Sequence, residues 1–201
     1  PKIISNQKNK QFTSLFSNPI VGKNIILVGT GSLGSSMAKL VAPLGANITG
    51  VNKKGKPVDG CKNVITIDKI NTILPSADIL YLALPETPET KNLINRERLD
   101  LLKPSCGIVN IGRQSALDYD ALCEKLNRKE IAGAILDVFS TEPIPTNSKL
   151  WHTPNLVITP HVSSDDNGNY VKMTLDLFIK NLKLFIEKKK LTNQIDKNLG
   201  Y

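Results

Sequence analysis

The feature that most constrains this chain is a glycine-rich segment, GTGSLG at residues 29–34, which directly follows an apolar run and opens a helical pattern. In that context Gly29 permits a tight turn, Gly31 lets a pyrophosphate approach the backbone, and Gly34 lets the helix pack on the strand. Free N–H groups and the positive dipole end at the start of the helix favour the phosphates. The segment predicts a dinucleotide site; a strand-to-helix turn without a ligand is the alternative.

Short apolar runs rich in β-branched residues alternate with amphipathic segments along most of the chain. We predict strands over 24–28, 47–51, 78–84, 107–110, 132–136 and 156–159, and helices over 33–44, 69–74, 96–102 and 119–128. Strands bounded by helices imply right-handed βαβ crossovers. The predicted fold class is therefore α/β, a Rossmann-type doubly wound parallel sheet in three α/β/α layers.

A long C-terminal helix is predicted over residues 170–188. Apolar residues recur there every three or four positions, at Val171, Leu175, Phe178, Leu182 and Phe185. This spacing places them on one face of a helix. A coiled-coil seam would need more heptads, so we expect that face to pack on the body of the protein.

Composition and charge exclude several classes of protein. The hydrophobic share of 40% argues against a disordered chain, and no apolar run approaches the roughly 18 residues of a membrane span. Three cysteines lack metal-ligand spacing and no signal peptide is recognisable, so we expect no metal and a cytoplasmic location. The net charge of +8 could suit nucleic acid, but the lysines are dispersed and only 5% of residues are aromatic. We expect neither a nucleic-acid nor a membrane partner.

The residues after the second predicted strand bear on the choice of cofactor. A site specific for NAD would end that strand with an acid that accepts both ribose hydroxyls. This chain has Asn52, Lys53 and Lys54 instead. Two cations suit a 2′-phosphate, which favours NADP over NAD. The lysines could equally solvate a loop, because Lys56 continues the same run.

Three polar residues of the second half, Arg113, Glu142 and His161, each follow a predicted strand. The carboxyl ends of parallel strands meet at the edge where a dinucleotide binds. Reduction of a ketone by hydride needs an acid for the carbonyl oxygen, and histidine can supply it. A carboxylate would hold the histidine tautomer, and an arginine would bind a substrate carboxylate through two N–H groups. Taken singly, each residue is more often a solvated charge or a loop hydrogen-bonder.

Further motifs follow the glycine segment in order: LALPETPET at 82–90, LINRERL at 93–99, VNIGR at 109–113, LDVF at 136–139, EPIP at 142–145, LW at 150–151 and TPHV at 159–162. With these motifs, residues 21–162 resemble the cofactor domain of the D-isomer-specific 2-hydroxyacid dehydrogenases. The resemblance implies an NAD(P)-dependent enzyme that interconverts a 2-keto acid and a D-2-hydroxy acid. It also implies that His161 is the acid/base paired with Glu142, that Arg113 orients the substrate, and that the protein is a homodimer.

The resemblance also implies the cofactor contacts. Ser32 and Leu33 would meet the pyrophosphate through their backbone, and Asp137 would hold the nicotinamide carboxamide. The expected site further includes Gly29, Gly31, Gly34, Asn52, Lys53, Lys54, Leu84, Pro85, Thr90, Ile111, Gly112, Arg113, His161, Ser163 and Ser164. Gln114 departs from the family, which usually has glycine after the arginine, so the loop around Arg113 could differ.

Length is the largest departure from the family. Family enzymes fold about 100 residues, the size of a whole domain, into a substrate domain before the glycine segment. Here the first predicted strand begins at residue 24. We therefore expect one dinucleotide-binding domain over 1–201: a linker helix within 1–22, spanning residues 2–16, from a missing substrate domain, a Rossmann core over 23–165, and a returning helix and tail over 166–201.

Such a fragment would bind cofactor better than it catalyses. Two other functions stay open. One is a non-catalytic, corepressor-like module that senses dinucleotide, which would not need the acid. The other is an unrelated Rossmann enzyme such as a methyltransferase, which the ordered motifs disfavour. In the expected homodimer, Trp151 is a candidate anchor at the edge of the interface, and its alternative place is the core.

Overall fold

Seven short segments form one parallel sheet in the computed structural model, which describes residues 2–14 and 18–196. The strands are β1 (Asn24–Val28), β2 (Asn47–Val51), β3 (Asn63–Ile65), β4 (Ile79–Leu82), β5 (Gly107–Asn110), β6 (Gly133–Leu136) and β7 (Leu156–Ile158). Their order is β3-β2-β1-β4-β5-β6-β7. Val28 of β1 is in register with Val51 and Leu82, the last residues of its two neighbours. All carboxyl ends therefore lie at one edge, and the strand order reverses beside β1, where such sheets form a ligand cleft.

Six helices connect or flank the strands in the described ranges. They are α1 (Lys2–Lys8), α2 (Ser32–Val41), α3 (Ile70–Ile73), α4 (Arg96–Asp100), α5 (Tyr119–Asn127) and α6 (Tyr170–Ile186). Short 3-10 turns extend α2 over 42–44 and flank α3 over 67–69 and 74–76. Two of the helices begin at a side-chain cap, because Asn95 accepts the N–H of Arg98 and Asp118 accepts the N–H of Ala121.

The core has two buried clusters, one on each face of the sheet. Successive side chains of a strand point to opposite faces. Ile26 and Val28 of β1 belong to the cluster that includes residues of α3, α4 and α5. Ile25 and Leu27 belong to the other, with Ala38 of α2. Helices thus lie on both faces, and the predicted three-layer Rossmann-type fold is confirmed.

The predicted strands agree with the observed ones most closely in the first half of the sheet. β1, β2 and β5 have the predicted bounds, whereas β4, β6 and β7 are shorter than predicted. Ala83 and Leu84, predicted in β4, lie beyond it, and their backbone is close to Gly29 and Gly112. β3 was missed because three residues at a sheet edge show no periodic pattern.

The predicted N-terminal helix is shorter than expected. Within the predicted linker over 1–22, α1 ends at Lys8. Lys10 has φ 53°, a left-handed conformation that does not continue a right-handed helix. Residues 11–14 and 18–22 form no helix, so the prediction of a helix up to residue 16 is wrong for these described residues. Phe16 itself lies outside the described residues.

The chain forms two compact units, residues 1–161 and residues 162–201. In the second unit, α6 ends two residues before the predicted end, and the side chain of Asn181 bonds both to the backbone and to the hydroxyl of Thr192. The five apolar residues at helical spacing, from Val171 to Phe185, are 45–69% exposed. The expected packing of this face on the body of the protein stays a prediction. No helix in the described residues is long and apolar enough to cross a membrane.

Candidate active site

The carboxyl edge of the sheet carries nearly all of the predicted site residues. The glycine segment follows β1, Asn52 to Lys54 follow β2, and Leu84, Pro85 and Thr90 follow β4. Ile111, Gly112 and Arg113 follow β5, Asp137 and Glu142 follow β6, and His161 follows β7. Because the strands are parallel and in register, the topology gathers these loops at one edge. Ser163 and Ser164 belong to the second unit, at exposed positions, and their placement in the site stays a prediction.

The glycine segment is shaped by close backbone approaches on two sides. Gly29 has φ +95°, and a Cβ there would lie 2.4 Å from the Ala83 carbonyl oxygen. A Cβ on Gly34 would lie 2.0 Å from the Gly29 carbonyl oxygen, because α2 starts tightly against the turn. A larger residue at position 29 would push the turn after β1 away from Ala83, and one at position 34 would push α2 away from that turn.

Gly31 has the opposite environment, since no heavy atom lies within 4 Å of the place a Cβ would take. It is the N-cap of α2 and provides no side-chain cap, so the first N–H groups of α2 face open space with the positive end of the helix dipole. Ser32 and Leu33, the first two residues of α2, are both exposed there. These features fit the pyrophosphate of a dinucleotide.

Asn52 organises the turn after β2. Its amide nitrogen donates to the Thr30 hydroxyl at 3.0 Å and to the Lys56 carbonyl at 3.1 Å. Its carbonyl oxygen accepts the N–H groups of Lys54 at 3.1 Å and Lys56 at 3.2 Å. Asn52 thus ties the lysine turn to the glycine segment, and the side chains of Lys53 and Lys54 stay exposed.

The loop after β4 is held together by threonines. The Thr90 hydroxyl donates to the Pro85 carbonyl at 2.7 Å and accepts the N–H of Thr87 at 2.9 Å. Thr87 and Thr90 are buried. Thr90 therefore shapes the Pro85 end of the cleft through the loop.

The end of β5 is fixed by a buried polar network that sequence reasoning missed. The Asn110 amide nitrogen donates to the Arg113 carbonyl and to the Tyr119 hydroxyl, both at 3.2 Å, and its oxygen accepts the Gly112 N–H at 3.1 Å. The Tyr119 hydroxyl donates to the Val138 carbonyl at 2.7 Å. Burial raises the pKa of Tyr119, so its hydroxyl keeps its proton. The network links the loops after β5 and β6, and the only sequence signal for it was a polar Asn ending an apolar run.

Asp137 is also buried at this edge, directly after β6. The hydroxyl of Thr159, which follows β7, donates to its carboxylate at 2.5 Å. A fully buried acid needs such partners, because an unpaired buried charge is costly. Asp137 is thus held in place beside the ends of β5 and β7.

His161 and Glu142 form the closest functional pair. His161 Nδ1 lies 2.8 Å from Glu142 Oε2, and the other carboxylate oxygen accepts the Phe139 N–H at 2.7 Å. The hydrogen bond from His161, followed by that from Phe139, lowers the pKa of Glu142, so the carboxylate is ionised. A carboxylate only accepts, so Nδ1 carries the donated proton and Nε2 is left for another partner. His161 has φ 56°, a left-handed conformation seen at a minority of non-glycine residues.

A cavity of about 330 Å³ brings the three predicted catalytic residues together. Arg113, Glu142 and His161 all line it, with Glu86 and Gln114 beside them. Arg113 is exposed, and one of its terminal nitrogens donates to the Gly112 carbonyl at 2.8 Å. The guanidinium, the imidazole and the carboxylate thus line one cavity at the carboxyl edge of the sheet, the edge that also carries the glycine segment.

A second cavity of about 360 Å³ is also lined by Glu142 and His161 and includes Pro143 and Trp151. The Trp151 indole N–H donates to the Pro145 carbonyl at 2.9 Å, and the side chain is 49% exposed. Trp151 is therefore not a core residue, and it braces the segment that carries Glu142.

Comparisons with known proteins agree with this geometry. Residues 1–163 match the family described as D-isomer specific 2-hydroxyacid dehydrogenase, NAD binding domain. An uncharacterized protein in the proB 3′ region of Corynebacterium melassecola is 34% identical over 179 residues, which are 89% of this chain and 59% of that protein. Glyoxylate/hydroxypyruvate reductase A of Enterobacter sp. (strain 638) is 30% identical over 175 residues, 87% of this chain and 55% of that protein.

One solved structure has a TM-score of 0.90 with 27% identity and covers 100% of this chain and 81% of its own. It is a D-isomer specific 2-hydroxyacid dehydrogenase from Xanthobacter autotrophicus Py2 in complex with NADPH and MES. The present chain spans somewhat more than half the length of the two curated relatives.

Proposed function

Because the chain belongs to the D-isomer specific 2-hydroxyacid dehydrogenase family, with an NAD(P)-binding domain, we propose that it serves an oxidoreductase that interconverts a 2-keto acid and a D-2-hydroxy acid. The observation that carries this proposal is the His161–Glu142 pair, 2.8 Å apart and facing the same cavity as Arg113. A module that only senses dinucleotide has no use for an oriented histidine beside a cation. The pair therefore favours the enzyme over the corepressor-like alternative.

The proposed reduction needs a hydride, a proton and a fixed substrate. NAD(P)H supplies the hydride when bound. Arg113 binds the substrate carboxylate through its guanidinium, which holds the neighbouring carbonyl carbon in place. His161, protonated on both ring nitrogens for this step, donates a proton from Nε2 to the carbonyl oxygen as that oxygen gains charge, and the C=O bond becomes CH–OH. Glu142 holds Nδ1–H, so that Nε2 is the nitrogen presented to the substrate. In the reverse direction His161 takes the hydroxyl proton.

The cofactor residues have separate tasks in this proposal. Gly31, Ser32 and Leu33 bind the pyrophosphate through the open start of α2. Asp137 holds the nicotinamide carboxamide, while Leu84, Pro85, Ile111 and Gly112 line the cleft and Thr90 fixes its loop.

We propose a preference for NADP over NAD. The end of β2 carries no acid, and the side chains of Lys53 and Lys54 are exposed and available to a 2′-phosphate. Asn52 supports this indirectly, since its hydrogen bonds hold the lysine turn against Thr30. The relative from Xanthobacter autotrophicus binds NADPH, which is in line with this reading.

Three further properties belong to the proposal. The protein acts as a homodimer through this domain, with Trp151, half exposed, at the edge of the interface. Residues 1–201 alone bind cofactor better than they catalyse, because closure around the substrate requires a second lobe that excludes water. The location is the cytoplasm, where the free thiols of Cys61, Cys106 and Cys123 would stay reduced.

The experiment is a panel of 2-keto acids offered to the natural protein with NADPH or NADH, followed by loss of reduced-cofactor absorbance. We expect oxidation of the cofactor that depends on the keto acid and is faster with NADPH at low cofactor concentration. Binding of cofactor without turnover of any 2-keto acid would instead support the dinucleotide-sensing module.

A further inference from the structure

An ion pair crosses the adenosine end of the cleft. Lys53 Nζ lies 3.6 Å from Glu89 Oε1. Lys53 follows β2 and Glu89 belongs to the loop after β4, and these strands are the two neighbours of β1. The pair therefore joins the two loops that flank the glycine segment. Through this pair, the Glu89 carboxylate lies next to the turn after β2, which has no acidic residue at the end of the strand.

The backbone on both sides of this pair is fixed. Asn52 accepts the Lys54 N–H and donates to Thr30, which holds the lysine turn. Thr90 holds the loop that carries Glu89 through its bond to Pro85. The exposed side chains of Lys53 and Glu89 can rearrange when a ligand arrives while these hydrogen bonds hold the backbone.

The pair itself is weak and open to solvent. The side chains of Lys53 and Glu89 are 59% and 65% exposed, so water and ions screen their attraction. Hydrogen bonds within the loop, including one from Thr87, and the nearby Lys53 lower the pKa of Glu89, so it is charged at neutral pH. Lys53 can therefore exchange Glu89 for a stronger anion at little expense in stability.

We propose that Glu89 is a specificity-determining residue for the cofactor, which limits the preference for NADPH over NADH. A 2′-phosphate bound by Lys53 takes that lysine from Glu89 and then faces the Glu89 carboxylate, a charge of the same sign. A ribose 2′-hydroxyl meets no such repulsion. The inference rests on the proposed function, because it places the adenosine ribose beside Lys53.

The test is calorimetric titration of NADPH and NADH into the full chain and its Glu89→Gln variant. We expect NADPH to bind roughly 1.4- to fivefold more tightly to Glu89→Gln at low salt, which corresponds to the about 0.2–1 kcal/mol of exposed charge pairs. NADH affinity should stay within about the error of the titration. The gain for NADPH should shrink at roughly 0.5 M salt, because the interaction is screened.

The matched control is Asp59→Asn. Asp59, in the loop after β2, pairs with Lys39 of α2 at 3.5 Å, and both side chains are exposed, so the variant removes the same charge from a similar pair. It should leave the NADPH to NADH ratio unchanged. An equal change for both cofactors in Glu89→Gln, or the same ratio change in Asp59→Asn, would overturn the role of Glu89.

A second variant separates this inference from the proposed function. Lys53→Gln should weaken NADPH binding and leave NADH binding nearly unchanged. If Lys53→Gln behaves so but Glu89→Gln has no effect, Glu89 alone loses its role. If the unaltered chain binds neither cofactor, the proposed function fails and the inference falls with it.

Discussion

Replacing Tyr119 by Phe removes one oxygen atom from the support beneath the candidate active site. That hydroxyl donates to the Val138 carbonyl at 2.7 Å and accepts from the Asn110 amide at 3.2 Å. Asn110 keeps a second partner, the Arg113 carbonyl at 3.2 Å, so the main loss falls on the Val138 carbonyl. A buried polar group left without its partner costs about 1–3 kcal/mol. We expect the free energy of unfolding to fall by that amount.

Urea unfolding followed by circular dichroism measures this loss. For a chain of this size, 1 kcal/mol lowers the melting temperature by about 2–4 °C, so thermal unfolding should shift by roughly 2–12 °C. The matched control is Tyr81→Phe, because Tyr81 is half-buried and its hydroxyl has no hydrogen-bond partner among the described residues. The control should change stability by less than about 0.5 kcal/mol. Equal effects of the two substitutions would refute the view that the Tyr119 network supports the loops.

Two other substitutions test the framework of the fold. Asp78 accepts the Asn24 N–H at 2.8 Å and pairs with Lys103 at 2.8 Å, and these contacts, Lys103 first, lower its pKa. The stability they provide is present above the ordinary carboxyl pKa and is lost as pH falls through the lowered value, so Asp78→Asn should destabilise at pH 7 by an amount that shrinks as pH falls below the ordinary carboxyl pKa in urea titrations; a difference independent of pH would contradict this. Gly34→Ala places a Cβ 2.0 Å from the Gly29 carbonyl and should abolish NADPH binding in calorimetry, whereas Gly107→Ala, with open space around it, should not; retained binding in Gly34→Ala would show that the turn is not tight.

Most strands of the sheet could be predicted from sequence because each buried strand is marked by a local run of apolar residues. β1 and β2 are continuous apolar runs bounded by turn residues, which predicts fully covered parallel strands. The glycine segment located the cleft, since Gly29 and Gly34 leave no room for a side chain. His161 and Glu142 were placed in one site by position at strand ends, and they lie 2.8 Å apart.

What sequence could not predict depends on contacts between distant segments. Glu89 meets Lys53 through the order of the strands, and Tyr119 reaches Val138 through the packing of α5 beneath the loop. Neither contact has a periodic or compositional signal. The end of α1 at Lys8 shows the same limit, because amphipathic spacing predicts a helix but not its length.

The most direct test of the proposed mechanism compares His161→Gln with His152→Gln in the natural protein. These are the two histidines of the sequence, and His152 lies in an exposed 3-10 turn outside the 330 Å³ cavity. General acid catalysis is worth about 100- to 10,000-fold, so keto-acid reduction by His161→Gln should fall by that factor while NADPH affinity stays nearly unchanged. His152→Gln should reduce the keto acid at the normal rate. Near-normal turnover by His161→Gln, with a 2-keto acid that the unaltered protein reduces, would contradict the assignment of His161 as the proton donor.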